Sequence, residues 1–111
     1  MFLNSSQSIE LSEKISDQKT GILIIFSRYD NGAQNYGWQS TYIPKYVIEQ
    51  FSAISGGAEG TPGGWVTQLI NASGTVTGNK YYYVSDKKIT GFDANGEGNN
   101  RQWIFRFVIG V

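Results

Sequence analysis

The 111-residue chain has no cysteine, no histidine, only two prolines and a single methionine. Without cysteine there is neither a disulfide framework nor a thiolate zinc site. Without histidine the usual general base near neutral pH and the commonest metal ligand are missing, and with the thiol nucleophile also gone most hydrolase mechanisms fall away. Nor is there an excess of charge: nine Lys plus Arg face nine Asp plus Glu. No basic stripe is available for a phosphate backbone, so nucleic acid is not an expected partner. The longest apolar run, Ile22 to Phe26, is far short of the roughly 18 residues a membrane span requires. No membrane insertion is expected, and MFLNSSQS lacks the basic-then-apolar order of a secretory signal.

The carboxylates offer little chemistry. Glu49, Glu59, Asp86, Asp93 and Glu97 could in principle supply a glycosidase pair, yet Glu59, Asp93 and Glu97 sit in glycine-rich stretches and read as solvated loop charge. Asp93-Ala94-Asn95-Gly96-Glu97 resembles the start of an EF-hand loop but fails its spacing, which needs glycine sixth and a carboxylate twelfth. The segment SAISGGAEGTPGG, Ser52 to Gly64, has neither the GxxxxGK[ST] spacing nor the following helix of a phosphate loop. A non-enzymatic protein is therefore expected, with no metal and no cofactor.

What the chain does have is strands. Aromatic residues make up 14% of it. Ser8 to Leu11 reads as a short edge strand. Ile22 to Phe26 is a continuous β-branched and apolar run between turn formers, the pattern of a strand buried on both faces at the centre of a sheet. After a polar turn around Asp30-Asn31-Gly32, Tyr36, Trp38, Ser40 and Tyr42 share one face of the partner strand. Pro44 ends that strand, and Ile43, Tyr46, Val47 and Phe51 have the spacing to lay one or two helical turns on the core. Further strands are predicted at Trp65 to Ile70, Lys80 to Val84 and Gln102 to Ile109, with a short one within Ile89 to Phe92. The last full strand is apolar on both faces, which places it centrally. Asn71 to Gly74 and Ser85 to Lys88 suit tight hairpin turns. Together these segments predict one all-β domain over residues 1–111, a small antiparallel β-sandwich or jelly-roll-like barrel with at most one short helical turn.

Tyr and Trp offer large contact area with few rotatable bonds and a polar tip, and sugar rings pack on such side chains. Most of the aromatics must fill the core. Tyr36, Trp65, Tyr81 and Tyr83 adjoin glycine or polar loops and are the candidate ligand-binding residues. The apolar surface exceeds what one small core absorbs, so self-association is expected, a trimer being one form that would stabilise a chain without disulfides.

Four segments in order, LNSSQSIELSEK (Leu3 to Lys14), Gly21 to Lys45 with its IFSRYDNG and YIPK, KYYYVSDKKITG (Lys80 to Gly91) and FRFVIGV (Phe105 to Val111), resemble the C-terminal domain of tail, baseplate and tail-fibre proteins of phages that infect Gram-positive bacteria. The resemblance implies a complete domain ending at a native C-terminus at Val111. It further implies a virion component at the host-facing tail tip, homotrimeric, in contact with other phage tail proteins. Such a component would engage host cell-wall polysaccharide or teichoic acid outside the host cell. The resemblance transfers no binding residue, because the matched segments read as strand and turn framework. Ser52 to Gly64 and Asp93 to Asn100 fall outside it, and specificity is expected there. Two alternatives remain: a purely structural trimerising tail or baseplate domain, and a free-standing bacterial lectin-like carbohydrate-binding module.

Overall fold

A computed structural model of the chain describes residues 1–54 and 63–111. Seven strands form two antiparallel sheets that pack face to face as a small β-sandwich. In chain order they are β1 (Ser8–Glu10), β2 (Gly21–Arg28), β3 (Gln39–Pro44), β4 (Gly63–Ile70), β5 (Val76–Ser85), β6 (Lys88–Thr90) and β7 (Trp103–Gly110). One sheet has the order β1-β6-β5-β4 and the other β3-β2-β7.

The apolar run predicted to be central is central. In β2, Ile22, Ile24 and Phe26 point into the core while Leu23 and Ile25 lie on the outer face. They meet Tyr82, Val84, Leu69 and Ile89 from the opposing sheet, and each such burial stabilises by about 1.5–3 kcal/mol relative to exposure. Phe26 and Tyr82 face each other across the sandwich at 6.0 Å. A polar relay inside this layer is satisfied: the Tyr82 hydroxyl lies 2.6 Å from that of Thr67, which in turn contacts the Thr41 hydroxyl.

Ser8–Glu10 is an edge strand, as predicted, and both expected tight turns are present. Asn71 Oδ1 accepts hydrogen bonds from the Ser73 and Thr75 amides, and Gly74 supplies the left-handed φ of +85° that closes the turn. Ser85 pairs directly with Lys88, so Asp86-Lys87 is a two-residue hairpin loop.

Three features depart from expectation. First, β7 is an edge strand, not a central one. A bulge at Arg106 breaks its alternation, because Ile25 opposes Phe107 while Phe26 opposes Phe105. Trp103, Phe105 and Val108 therefore turn inward, and Phe107 and Ile109 turn outward. Apolar residues on both faces signalled an exposed apolar face rather than a second buried one. Second, the helix after Pro44, α1 (Lys45–Ile54), runs ten residues and buries Ile48, whereas Tyr46 is exposed. Ile43 still belongs to β3, so it does not share the helix's phase. The side chain of Phe51 lies outside the described residues, as do Glu59 and all of the glycine-rich segment from 55 to 62. Third, Asp93–Gly96 and Gly98–Gln102 form short 3-10 turns packed on β5.

Residues 1–4 bridge the sandwich. Phe105 donates to the Met1 carbonyl at 2.8 Å and Phe92 to the Leu3 carbonyl at 3.1 Å, so the N-terminal segment covers the free edge of β7. Leu3 is fully buried. Gly91 lies against the Leu3 and Asn4 carbonyls with no room for a Cβ.

A candidate ligand-binding cleft at the open end of the sandwich

The two sheets part at the end where β2 runs out and the β4–β5 turn begins. Arg28, the last residue of β2, opposes Trp103, the first of β7. Residues 29–38 then fold back on this strand end. The Arg28 amide donates to the Tyr36 carbonyl at 3.0 Å, and Gln34 donates to the Arg28 carbonyl at 2.9 Å. Asn31, at φ 54°, takes the left-handed turn that Asn tolerates. Arg106, the bulge residue, clamps the loop from the side: it donates to Ser27 Oγ (2.9 Å), the Gln34 carbonyl (2.9 Å) and Asn35 Oδ1 (3.0 Å). Its guanidinium also lies 4.8 Å from the centre of the Trp38 ring.

This scaffold presents aromatic surface to solvent. Tyr36 is 54% exposed and Trp38 45% exposed. On the far wall, the Gln39 amide pairs with both backbone groups of Ile70 at 2.9 and 2.7 Å and ties β3 to the β4–β5 turn. Between the walls lies a cleft of about 800 Å³ lined by Arg28, Tyr36, Trp38, Gln39, Ile70 and Trp103 among others. That volume falls in the range of small-molecule sites. Trp103 is 1% exposed, and its Nε1–H is buried with no acceptor among the described residues. The Arg28 guanidinium lies 4.8 Å above that ring. No Asp or Glu among the described residues lines the cleft. The arrangement offers two exposed rings for stacking, a cation and hydrogen-bond donors.

Of the four predicted ligand residues, only Tyr36 lies in this cleft. Tyr81 and Tyr83 are on the outer face of the four-stranded sheet, 5.4 Å apart and edge-on, with Phe92 packed 5.2 Å from Tyr81. They form a half-buried aromatic cluster, and the Tyr81 hydroxyl fills the space where a Cβ on Gly64 would stand. Trp65 is on the core-facing side of β4, opposite Tyr82, and packs against the core. The four do not converge.

Arg28, Trp38, Gln39 and Trp103 were not among the predicted residues. Trp38 left a trace, as the neighbour of Tyr36 on an aromatic strand face. Arg28 and Trp103 left none, since only the β2–β7 register brings them together. In the loop Asp93 to Asn100, expected to carry specificity, Asp93 and Glu97 to Asn99 are exposed and Asn95 has an internal role. Its Asn95 is 1% exposed and bonds Leu3 and Tyr81. Asp93 accepts from Ser5. No group of three or more potential metal-ligating side chains occurs among the described residues.

Comparisons of the chain with protein-family models, with curated proteins and with solved structures find no match.

Proposed function

We propose that this chain is a non-enzymatic recognition domain of a phage tail or tail-fibre protein, acting in host adsorption by reversible binding of a cell-wall saccharide. The observation that carries the reading is the pair Tyr36 and Trp38, exposed side by side on a loop immobilised by Arg106. Rings held in place before the ligand arrives lose little entropy on binding, and saccharides stack their C–H faces on such rings. Modest affinity at one site is compatible with adsorption, because repeated copies on one particle raise avidity by orders of magnitude.

Titration with purified Gram-positive cell-wall polysaccharide, followed by tryptophan fluorescence and calorimetry, tests this. Saturable binding that weakens about tenfold or more in Trp38→Ala, with an unchanged melting temperature, is expected. Absence of binding, or binding indifferent to Trp38, overturns the reading.

A second reading, a trimerising structural domain, is favoured by a different surface. The outer face of the β3-β2-β7 sheet carries Leu23, Ile25, Tyr42, Phe107 and Ile109, and Tyr42, Phe107 and Ile109 are each more than two-fifths exposed. A contiguous apolar patch of this kind marks an interaction surface. The two readings are compatible, since a trimer multiplies the cleft.

A further inference from the structure

We infer that the cleft selects an anionic saccharide, with Arg28 as the residue that receives the ligand's phosphate or carboxylate; the inference rests on the saccharide-binding reading above.

Two arginines lie over tryptophan rings. Arg106 lies 4.8 Å from the Trp38 ring and Arg28 4.8 Å from the Trp103 ring. Their remaining contacts differ. Arg106 directs its N–H groups to Ser27, Gln34 and Asn35, so its hydrogen-bonding capacity serves the loop. Arg28 makes no side-chain hydrogen bond among the described residues, and the one ion pair found there joins Lys88 to Glu10 elsewhere on the surface. A guanidinium whose face rests on an indole keeps its N–H edges available, in the planar fork that matches a carboxylate or phosphate. Stacking also fixes the group in advance, which reduces the entropy lost on binding.

The surroundings point the same way. Among the described residues the cleft lining contains one cation and no carboxylate, although the whole chain is neutral. The positive charge is therefore local to this site. A guanidinium without a hydrogen-bond partner among the described residues, beside two exposed rings, suits a ligand with a sugar face and an acceptor-rich anionic substituent. A neutral sugar would use the rings and leave the guanidinium without a partner.

The test compares three polysaccharides on the whole chain: a phosphate-bearing cell-wall polymer, the same polymer after removal of phosphate by hydrofluoric acid, and a uronic-acid polymer. Binding is measured at low and at raised salt for the wild type, Arg28→Gln and Arg28→Lys. The inference expects the charged polymers, or one of them, to bind at least about tenfold more tightly than the neutral one. It expects this preference to shrink with salt, to vanish in Arg28→Gln and to survive in part in Arg28→Lys. The arm that binds identifies which anion is read. Equal affinity for charged and neutral polymers overturns the inference and leaves saccharide binding intact. A preference that persists in Arg28→Gln overturns the assignment to Arg28. Failure of every polymer to bind overturns the parent reading and this one with it. The wild-type comparison decides the question even if a variant does not fold.

Discussion

The side-chain amide of Asn95 binds both backbone groups of Tyr81: Tyr81 N–H donates to Asn95 Oδ1 at 2.8 Å, and Asn95 Nδ2 donates to the Tyr81 carbonyl at 2.6 Å. At this point β5 has extended beyond its short neighbour β6, and the amide completes the missing ladder. The same Nδ2 donates to the Leu3 carbonyl at 2.7 Å, so one side chain ties the N-terminal segment to the sheet. Asn95→Ala removes all of these bonds and leaves buried peptide groups unpaired. A loss of about 2–4 kcal/mol in unfolding free energy is expected from chemical denaturation. Asn95→Asp keeps the shape but not the donor, and should cost a comparable amount.

Lys80 gives the protein an unusual pH dependence. It is fully buried on the core side of β5, and its Nζ donates to the Phe2 and Asn95 carbonyls at 3.0 and 2.7 Å. Two acceptors match the two N–H groups of a neutral amine and leave one donor of an ammonium unfilled. Burial, reinforced by the nearby positive charge of Arg101, lowers its pKa from 10.5 to about 7. Between those values the unfolded chain holds a proton that the folded chain has released. Stability therefore rises with pH through this window and levels off below it. Melting curves between about pH 6 and about pH 9.5 should show the rise, with a slope from this group of at most about 1.4 kcal/mol per pH unit. Staying below the ordinary tyrosine range matters, because burial raises the Tyr82 pKa and that group contributes the opposite trend at higher pH. In Lys80→Met most of the rise should disappear, leaving the part below about pH 8 that comes from the Met1 amino group, whose pKa burial also lowers.

The outer sheet face makes a prediction about association. Phe107 is 42% exposed, next to Ile109 on β7 and opposite Ile25 on β2. Phe107→Lys places a charge at the centre of the patch without touching the core. If this face joins copies, light scattering should show the mass falling from an oligomer to one chain. The monomer's intrinsic stability should change by no more than about 0.5 kcal/mol, as for a surface position. A wild-type chain that stays monomeric at high concentration removes the trimerising reading.

Local pattern made the sandwich legible, and long-range register hid the cleft. Ile22 to Phe26 reads as a central strand because both its faces are apolar, and Tyr82 and Val84 alternate inward as a half-buried strand should. The same rule misplaced β7. Apolar on both faces, it read as a central strand, but the bulge at Arg106 turns Phe105 inward and Phe107 outward. A bulge adds a residue without adding a sequence signature. The predicted ligand tyrosines Tyr81 and Tyr83 adjoin polar loops and lie on the outer face of the four-stranded sheet, apart from the cleft. Arg28 reads in sequence as an ordinary strand-end charge; only its pairing with Trp103 brings it into the cleft.

Arg106 connects that bulge to the cleft and supplies the most discriminating variant. Its three hydrogen bonds hold Ser27, Gln34 and Asn35, and its guanidinium supports Trp38 from below. Ser27 is fully buried, so Arg106→Ala leaves a buried hydroxyl without this partner and frees the loop that carries Tyr36 and Trp38. About 1–3 kcal/mol of stability should be lost. Polysaccharide affinity should fall as well, since the rings must then be ordered at the moment of binding. Arg106→Lys keeps the charge but cannot reproduce the planar fork, and should restore little of either property. Arg28→Lys gives the contrasting result: its stability should stay close to wild type, because the Arg28 side chain makes no hydrogen bond among the described residues and its backbone bonds are kept. If the two lysine variants behave alike in both assays, the division of labour between the two stacked arginines is wrong.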